Sequence, residues 1–243
     1  MELGAFVSLE DISDALPSYE EEVLSIEMDP ALAGAYNSLE EDIRAALEEH
    51  HGNQSVMSTG LNALMLYPDR PFHLGTLYGY ATNPDTGERE RFVISDPPDL
   101  DETVLYAKER RLVEEVKAEL SQGRRCQVYA IYTQKRDVTQ RLKSILSREG
   151  IRVEVLTTAV PPEAREAWYE RQVKAGMQVC VAHPRLVATG LDYVEYESAR
   201  RAFFLKPVCS RSETETSWDS AFTRLRVLCI TVASLIARQL FRA

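Results

Sequence analysis

The sequence predicts an α/β fold, a parallel sheet with flanking helices, on two observations. Between Lys108 and Ala182 three amphipathic helices alternate with three short apolar strands. Such alternation builds parallel sheets through right-handed crossovers. Each of those helices also stops at a glycine, Gly123, Gly150 or Gly176, and a strand follows within a few residues. Glycine takes the left-handed conformation that closes a helix. The glycines are 27 and 26 residues apart, the length of one helix–strand unit.

The elements follow in chain order. Pro30 to Glu49 places Leu32, Ala35, Tyr36, Leu39, Ile43, Ala46 and Leu47 on one stripe with an acidic outer face, the pattern of an amphipathic helix. Asp29 is expected to cap it, with Pro30 in its first turn, and His50 to Asn53 to end it. A second apolar helix is expected around Thr59 to Leu66, stopped by Pro68. Tyr67 to Leu100 is rich in Pro, Gly, Asp and Asn and reads as an irregular excursion. Within it, a turn at Asn83 to Gly87 separates short hairpin strands, Leu77–Ala81 and Arg89–Ile94. Lys108 to Leu120 is a helix with Leu112, Val113, Val116 and Leu120 inward. Gln127 to Tyr132 (QVYAIY) is a near-continuous apolar run, as expected of a strand covered on both faces. Asp137 can cap a helix carrying Val138, Leu142, Ile145 and Leu146, and Arg152 to Leu156 is the second strand. Pro161-Pro162 opens a helix through Val173, and Met177 to Ala182 is the third strand.

A chain of 243 residues is one large domain or two small ones, and 44% hydrophobic content supports a real core. With 28 Lys plus Arg against 38 Asp plus Glu, net −10, it is no uniformly basic nucleic-acid wrapper. A local basic groove on an acidic body remains compatible with that balance. Residues 193–243 carry a net charge of +3, against −13 for the preceding 192 residues. Inside that tail, Val227 to Ala237 is an apolar run of eleven residues between Arg226 and Arg238. A bilayer needs ~20 residues, so the run is expected to be a buried or partner-facing helix. Four cysteines without CxxC spacing and four histidines indicate neither a disulfide framework nor a zinc cluster. The amino terminus lacks the features of a secretion signal. A cytoplasmic protein without membrane contact is expected.

In parallel sheets, function sits in the loops at the carboxyl ends of the strands. Those loops are Thr133–Arg136, Thr157–Val160 and His183–Asp192. Thr133 and Gln134 offer hydrogen bonds beside two cations, Lys135 and Arg136. Thr189 and Gly190 set a hydroxyl beside a backbone that a ligand can approach closely, and Asp192 supplies an acceptor. These groups track a phosphate backbone, although helix starts favour the same residue types for capping. His183 reads as a strand-end residue, because no acid or metal-ligating partner clusters with it.

From Tyr106 to Asp192 the stretches AKERRLVEEV, QVYAIYTQKRDVTQRLKSIL and REAWYERQVKAGMQVCVAHPRLVATGLD resemble the second RecA-like lobe of superfamily 2 helicases and translocases. The style is that of the Swi/Snf-related and phage-type DEAD/DEAH-like proteins of bacteria. VYAIYTQ resembles motif IV of that family, and ATGLD (Ala188 to Asp192) resembles motif V. The helix Arg165–Lys174, with Gly176 and a strand after it, resembles the segment leading into motif V. Upstream, LPSYEEEVLSIEMDPALAGAYNSLEEDIR resembles the linker between the two lobes, in which a helix after a short strand packs against the second lobe. The resemblance spans most of residues 6–192. It implies a mainly helical linker and insertion region over 1–105, a RecA-like lobe over 106–192, and a divergent basic tail over 193–243.

The resemblance further implies that Thr133 and Gln134, with Lys135 and Arg136 beside them, lie at the nucleic-acid strand. Thr189 would contact a phosphate, and Gly190 and Asp192 would couple the strand to ATP in the cleft between lobes. The grip would be on the backbone without base readout, with DNA expected over RNA.

A complete motor of this family has a first lobe with a phosphate-cradling loop and acidic metal-binding residues. No G-x-x-x-x-G-K-[ST] occurs in the chain. Beyond Asp192, where the family carries an arginine-bearing motif VI, no Q-x-x-R-x-x-R spacing occurs, and Arg200 and Arg201 are badly placed for an arginine finger. ATP and Mg2+ are therefore expected only for a complete two-lobed enzyme, with neither bound by this chain alone. The chain is expected to be a fragment, inactive without a first lobe that a separate subunit could supply. Two alternatives stand beside this reading. One is a non-enzymatic α/β binding or regulatory module that engages a partner through acidic helices. The other is a doubly wound transferase, which would want a glycine-rich first turn that YTQKR lacks.

Overall fold

The structure, a computed structural model, describes residues 20–83 and 85–187 together with the strands Arg201–Leu205 and Arg226–Val232. In chain order the elements are β1 (Glu20–Ile26), α1 (Pro30–Glu49), α2 (Gln54–Leu66), β2 (Leu77–Thr82), β3 (Arg89–Ser95), α3 (Ala107–Ser121) and β4 (Cys126–Ala130). They continue with α4 (Thr139–Arg148), β5 (Val153–Leu156), α5 (Arg165–Lys174), β6 (Val179–Ala182), β7 (Arg201–Leu205) and β8 (Arg226–Val232). Six strands form one sheet in the order β1-β8-β7-β4-β6-β5, and every pairing in it is parallel. β2 and β3 form a separate antiparallel hairpin.

All five residues of β4 are buried. Val128 and Ala130 face a core shared with Leu112 and Val116 of α3 and with Leu142 and Leu146 of α4. Tyr129, between them, faces a second cluster with Tyr169 of α5, Leu156 and Cys180. Successive side chains of a strand point to opposite faces, so two covered faces require an unbroken apolar run. The glycines expected to close α3, α4 and α5 all take the left-handed conformation, with φ of 74°, 77° and 91°.

A third core lies outside the sheet. Leu32, Tyr36, Leu39 and Ile43 of α1 pack with Val56, Ala63 and Leu66 of α2, with Leu77 and Ile94 of the hairpin, and with Tyr106. Six of the seven stripe residues expected on α1 are buried, and Leu47 packs at the margin. The expected excursion thus closes into a helical module with a hairpin.

Three local expectations are corrected. Asp29 does not cap α1 with its side chain; its carboxylate instead accepts from the Ala107 N–H at 2.7 Å and from Arg110 Nη2 at 2.5 Å, both at the start of α3. An anion at a helix amino terminus is stabilised by unpaired N–H groups and the helix dipole, and that end outcompetes α1, whose first residue is a proline. α2 begins at Gln54 rather than near Thr59, because Asn53 caps it by accepting from the Ser55 N–H at 2.8 Å. The run expected to be helical from Val227 is strand through Val232, paired between β7 and β1. Its β-branched and apolar residues fit a strand with parallel neighbours on both sides. The sheet therefore draws strands from both sides of residue 193.

Candidate functional site

Register brings the strand ends together. Leu156 of β5 and Tyr129 of β4 both pair with Ala182 of β6, and Ala130 pairs with Leu205 of β7. The loops after β4, β5 and β6 therefore leave from one edge of the sheet.

The β4 loop is pinned at both ends. The Val138 N–H donates to the Tyr132 carbonyl at 3.0 Å, and the Thr139 N–H donates to Asp137 Oδ1 at 2.7 Å. Between them Thr133 and Arg136 are half-buried while Gln134 and Lys135 are exposed. Among the described residues neither Lys135 nor Arg136 has a carboxylate partner. Tyr132 beneath them packs against both the sheet core and the helical module. Burial, and then the Asp69 carboxylate, push its phenol up to about 12, against the opposing pull of the Arg136 guanidinium. Arg136 thus stands near Tyr132, on the opposite side of its charge balance from Asp69.

Arg165, at the start of α5, joins the other two loops. Its Nε donates to the Val160 carbonyl at 3.3 Å and its Nη1 to the Leu186 carbonyl at 3.0 Å. His183 follows β6, and its Nδ1 accepts from the Arg185 N–H at 3.1 Å, capping a short 3-10 turn over Pro184–Leu186. Burial, and then the charge of Arg185, lower its pKa, so the ring stays neutral at neutral pH and serves as a cap. The sequence reading missed Arg185, an exposed cation without a carboxylate partner among the described residues. Its position three residues beyond a strand end was the available signal. Thr157 and Thr158 add exposed hydroxyls on the β5 loop.

Thr189, Gly190 and Asp192 lie outside the described residues. Arg201 opens β7 opposite Cys126, the first residue of β4, and so sits at the amino edge, away from these loops.

Hydroxyls, an amide and three cations on one edge suit oxyanions. Among the described residues no three His, Cys, Asp or Glu side chains cluster to hold a metal ion. The buried Cys180 thiol is pushed up to about 12 by its burial and is inert as a nucleophile. No helix among the described residues is long and apolar enough to cross a membrane.

No protein-family model matches the sequence, and no curated protein matches it. Solved structures do share its fold. The C-terminal part of the Fun30 ATPase domain superposes with a TM-score of 0.65 at 9% identity, over 93% of this chain and 89% of that one. The Sulfolobus solfataricus SWI2/SNF2 ATPase C-terminal domain gives 0.59 at 15% identity, over 91% and 83%. The Sulfolobus solfataricus SWI2/SNF2 ATPase core in complex with dsDNA gives 0.62 at 15% identity, over 95% of this chain and 44% of that one. The chain has the RecA-like fold of the C-terminal lobe of these ATPases.

Proposed function

We propose that this chain is the C-terminal RecA-like lobe of an ATP-dependent helicase or translocase, and that the carboxyl edge of its sheet grips the backbone of DNA. One observation carries the reading: a lobe of Swi2/Snf2 fold has three cations, Lys135, Arg136 and Arg185, without carboxylate partners among the described residues, in loops at one sheet edge. Cations held apart from carboxylates keep their charge for an external anion, and arginine forks match phosphate oxygens in pairs. Thr133 and Gln134 add neutral hydrogen bonds, and Thr189 adds a phosphate contact. The similar Sulfolobus core holds double-stranded DNA, which favours DNA over RNA as the partner.

In this reading Gly190 and Asp192 would face the nucleotide, in a cleft that a first lobe closes. The cations and hydroxyls of this edge suit the phosphates of ATP, whose hydrolysis would drive movement. The described residues offer no acidic cluster for Mg2+, so its ligands would lie elsewhere. The buried Cys180 thiol fits a reducing cytoplasm.

Fluorescence anisotropy with labelled duplex DNA, across a salt series, tests this reading. Binding should weaken steeply with salt, and Lys135→Ala/Arg136→Ala should lower the log–log slope by roughly 1.8, two phosphate contacts at ~0.9 each. No binding at low salt sinks the DNA reading. ATPase assays with and without DNA should show negligible turnover, because phosphoryl transfer needs phosphate loop, metal and arginine finger together. Robust turnover by the purified chain would overturn the dependence on a first lobe.

A further inference from the structure

The hairpin carries a surface that the motor reading does not use. Tyr78 pairs with Val93, Tyr80 with Arg91, and Thr82 with Arg89, so these six residues share one face. The other face is committed to the module: Phe92 lies over Gly79 and stacks on His50 at 3.7 Å between ring centroids. On the outer face the Arg91 guanidinium lies 4.1 Å from the Tyr78 ring centroid, and that of Arg89 lies 4.4 Å from the Tyr80 ring. Tyr80 is 40% exposed and Val93 58% exposed. Glu90, the carboxylate between the two arginines, belongs to the opposite face and accepts from Asn83 Nδ2 at 2.7 Å. Neither arginine has a carboxylate partner among the described residues. The edge of β2 is closed at Tyr80, whose N–H donates to Ser55 Oγ at 3.1 Å and whose carbonyl accepts from Asn53 Nδ2 at 2.9 Å. The available feature is the face rather than the strand edge.

We propose that this Tyr–Arg face is a second nucleic-acid contact, separate from the carboxyl edge, that holds the backbone of the same DNA. The inference rests on the motor reading, since it assigns the face to a polymer already bound elsewhere on the chain. Its chemistry points to that polymer. A guanidinium stacked on a ring keeps its in-plane N–H donors free. Arg89 and Arg91 are two residues apart on one strand face, about 6.8 Å, comparable to the separation of successive phosphates. The exposed ring of Tyr80 and the side chain of Val93 give apolar surface for sugars and bases beside those phosphates. Two contacts on one polymer reinforce each other, because the second is made within an existing complex.

The test compares the full chain with Arg89→Ala/Arg91→Ala, Arg89→Lys/Arg91→Lys and Lys135→Ala/Arg136→Ala, by anisotropy with labelled duplex DNA and thermal denaturation. The exposed hairpin arginines should leave the melting temperature unchanged. The alanine pair should weaken DNA binding about tenfold at low salt and lower the salt slope by roughly 1.8. The lysine pair should keep the slope but lose part of the affinity, because an ammonium neither forks nor stacks like a guanidinium. If the wild-type chain binds DNA and the alanine pair binds it equally well, the hairpin proposal fails while the motor reading stands. If the wild-type chain binds no DNA, both fall. A labelled polyglutamate that loses binding in the alanine pair, while DNA does not, would give the face to an acidic protein segment and overturn the proposal.

Discussion

Asp29 joins three segments with one carboxylate. It follows β1, precedes α1, and accepts hydrogen bonds from Ala107 and Arg110 at the start of α3. Burial pushes its pKa upward, but the Arg110 hydrogen bond, the Ala107 N–H and the Arg110 charge outweigh it, and the net shift is downward. A depressed carboxyl pKa means the folded state favours the ionised form. The stabilisation is present above the ordinary aspartate value and is lost as pH falls through the lower, folded value. Asp29→Ala should therefore cost about 1–2 kcal/mol at neutral pH, a charge-assisted hydrogen bond moderated by the partial exposure of Arg110. That cost should shrink below about pH 4. Urea midpoints of both proteins at pH 7 and in acid check this, and an equal loss at both would mean that charge is not the agent. Sequence made Asp29 recognisable as a helix cap but named the wrong helix, because its true partner lies 78 residues away.

The contact between α1 and α2 turns on the absence of a side chain. Gly60 sits inside α2, where alanine would ordinarily gain about 1 kcal/mol of helix propensity. A Cβ there would meet Ile43 Cγ2 at 2.5 Å, with Cγ1 and Cδ1 at 3.2 and 3.3 Å. Ile43 is buried and branched at that point, so it cannot swing aside. Overpacking costs about 1–3 kcal/mol and exceeds the propensity gain. Gly60→Ala should lower stability by about 1–2 kcal/mol, and Ile43→Ala should cost about 2–5 kcal/mol. The double variant should cost less than the two summed, and denaturant titration of the four proteins measures that coupling. The stripe on α1 was legible because seven apolar residues recur at helical spacing. The first turn of α2 was not, because Gln54 and Ser55 carry no such stripe and only the cap on Asn53 starts the helix there.

Polar contacts from α3 and α4 help fasten the helical module to the sheet lobe. Arg141 of α4 pairs with Glu109 of α3, where Nη2 donates to Glu109 Oε2 at 2.8 Å. It also donates to the Glu102 and Val104 carbonyls at 2.6 and 2.7 Å and lies 4.8 Å from the Phe72 ring centroid. Lys108 of α3 pairs with Asp69, with both side chains under a tenth exposed. Burial pushes the Asp69 carboxyl upward, and the Lys108 ammonium opposes it. Removing one partner of a buried pair strands the other charge. Arg141→Ala should therefore cost about 3 kcal/mol, speed proteolysis between residues 96 and 106, and leave the hairpin intact. Lys108→Met should cost about 3–5 kcal/mol, and Asp69→Leu/Lys108→Met should recover most of it, since a well-packed apolar pair avoids both desolvation penalties. Thermal denaturation separates these cases. If the double variant were no more stable than Lys108→Met, the stranded charge would not be the cause.

Local pattern carried the parallel alternation from α3 to β6, the closing glycines, the hairpin and the loops that meet at one edge. Each depends on a period or a backbone preference written within a few dozen residues. Chain folding decided the rest. The sequence from Val227 could be helix or strand by composition, and it became strand because β1 and β7 offered hydrogen bonds on both sides. Arg185 and Arg136 matter together only because parallel register sets the carboxyl ends of their strands side by side, and the Tyr–Arg face exists only because hairpin pairing aligns residues 78 and 80 with 93 and 91. Contacts between residues far apart in the chain are settled by competition among all available partners, and no local window contains that competition.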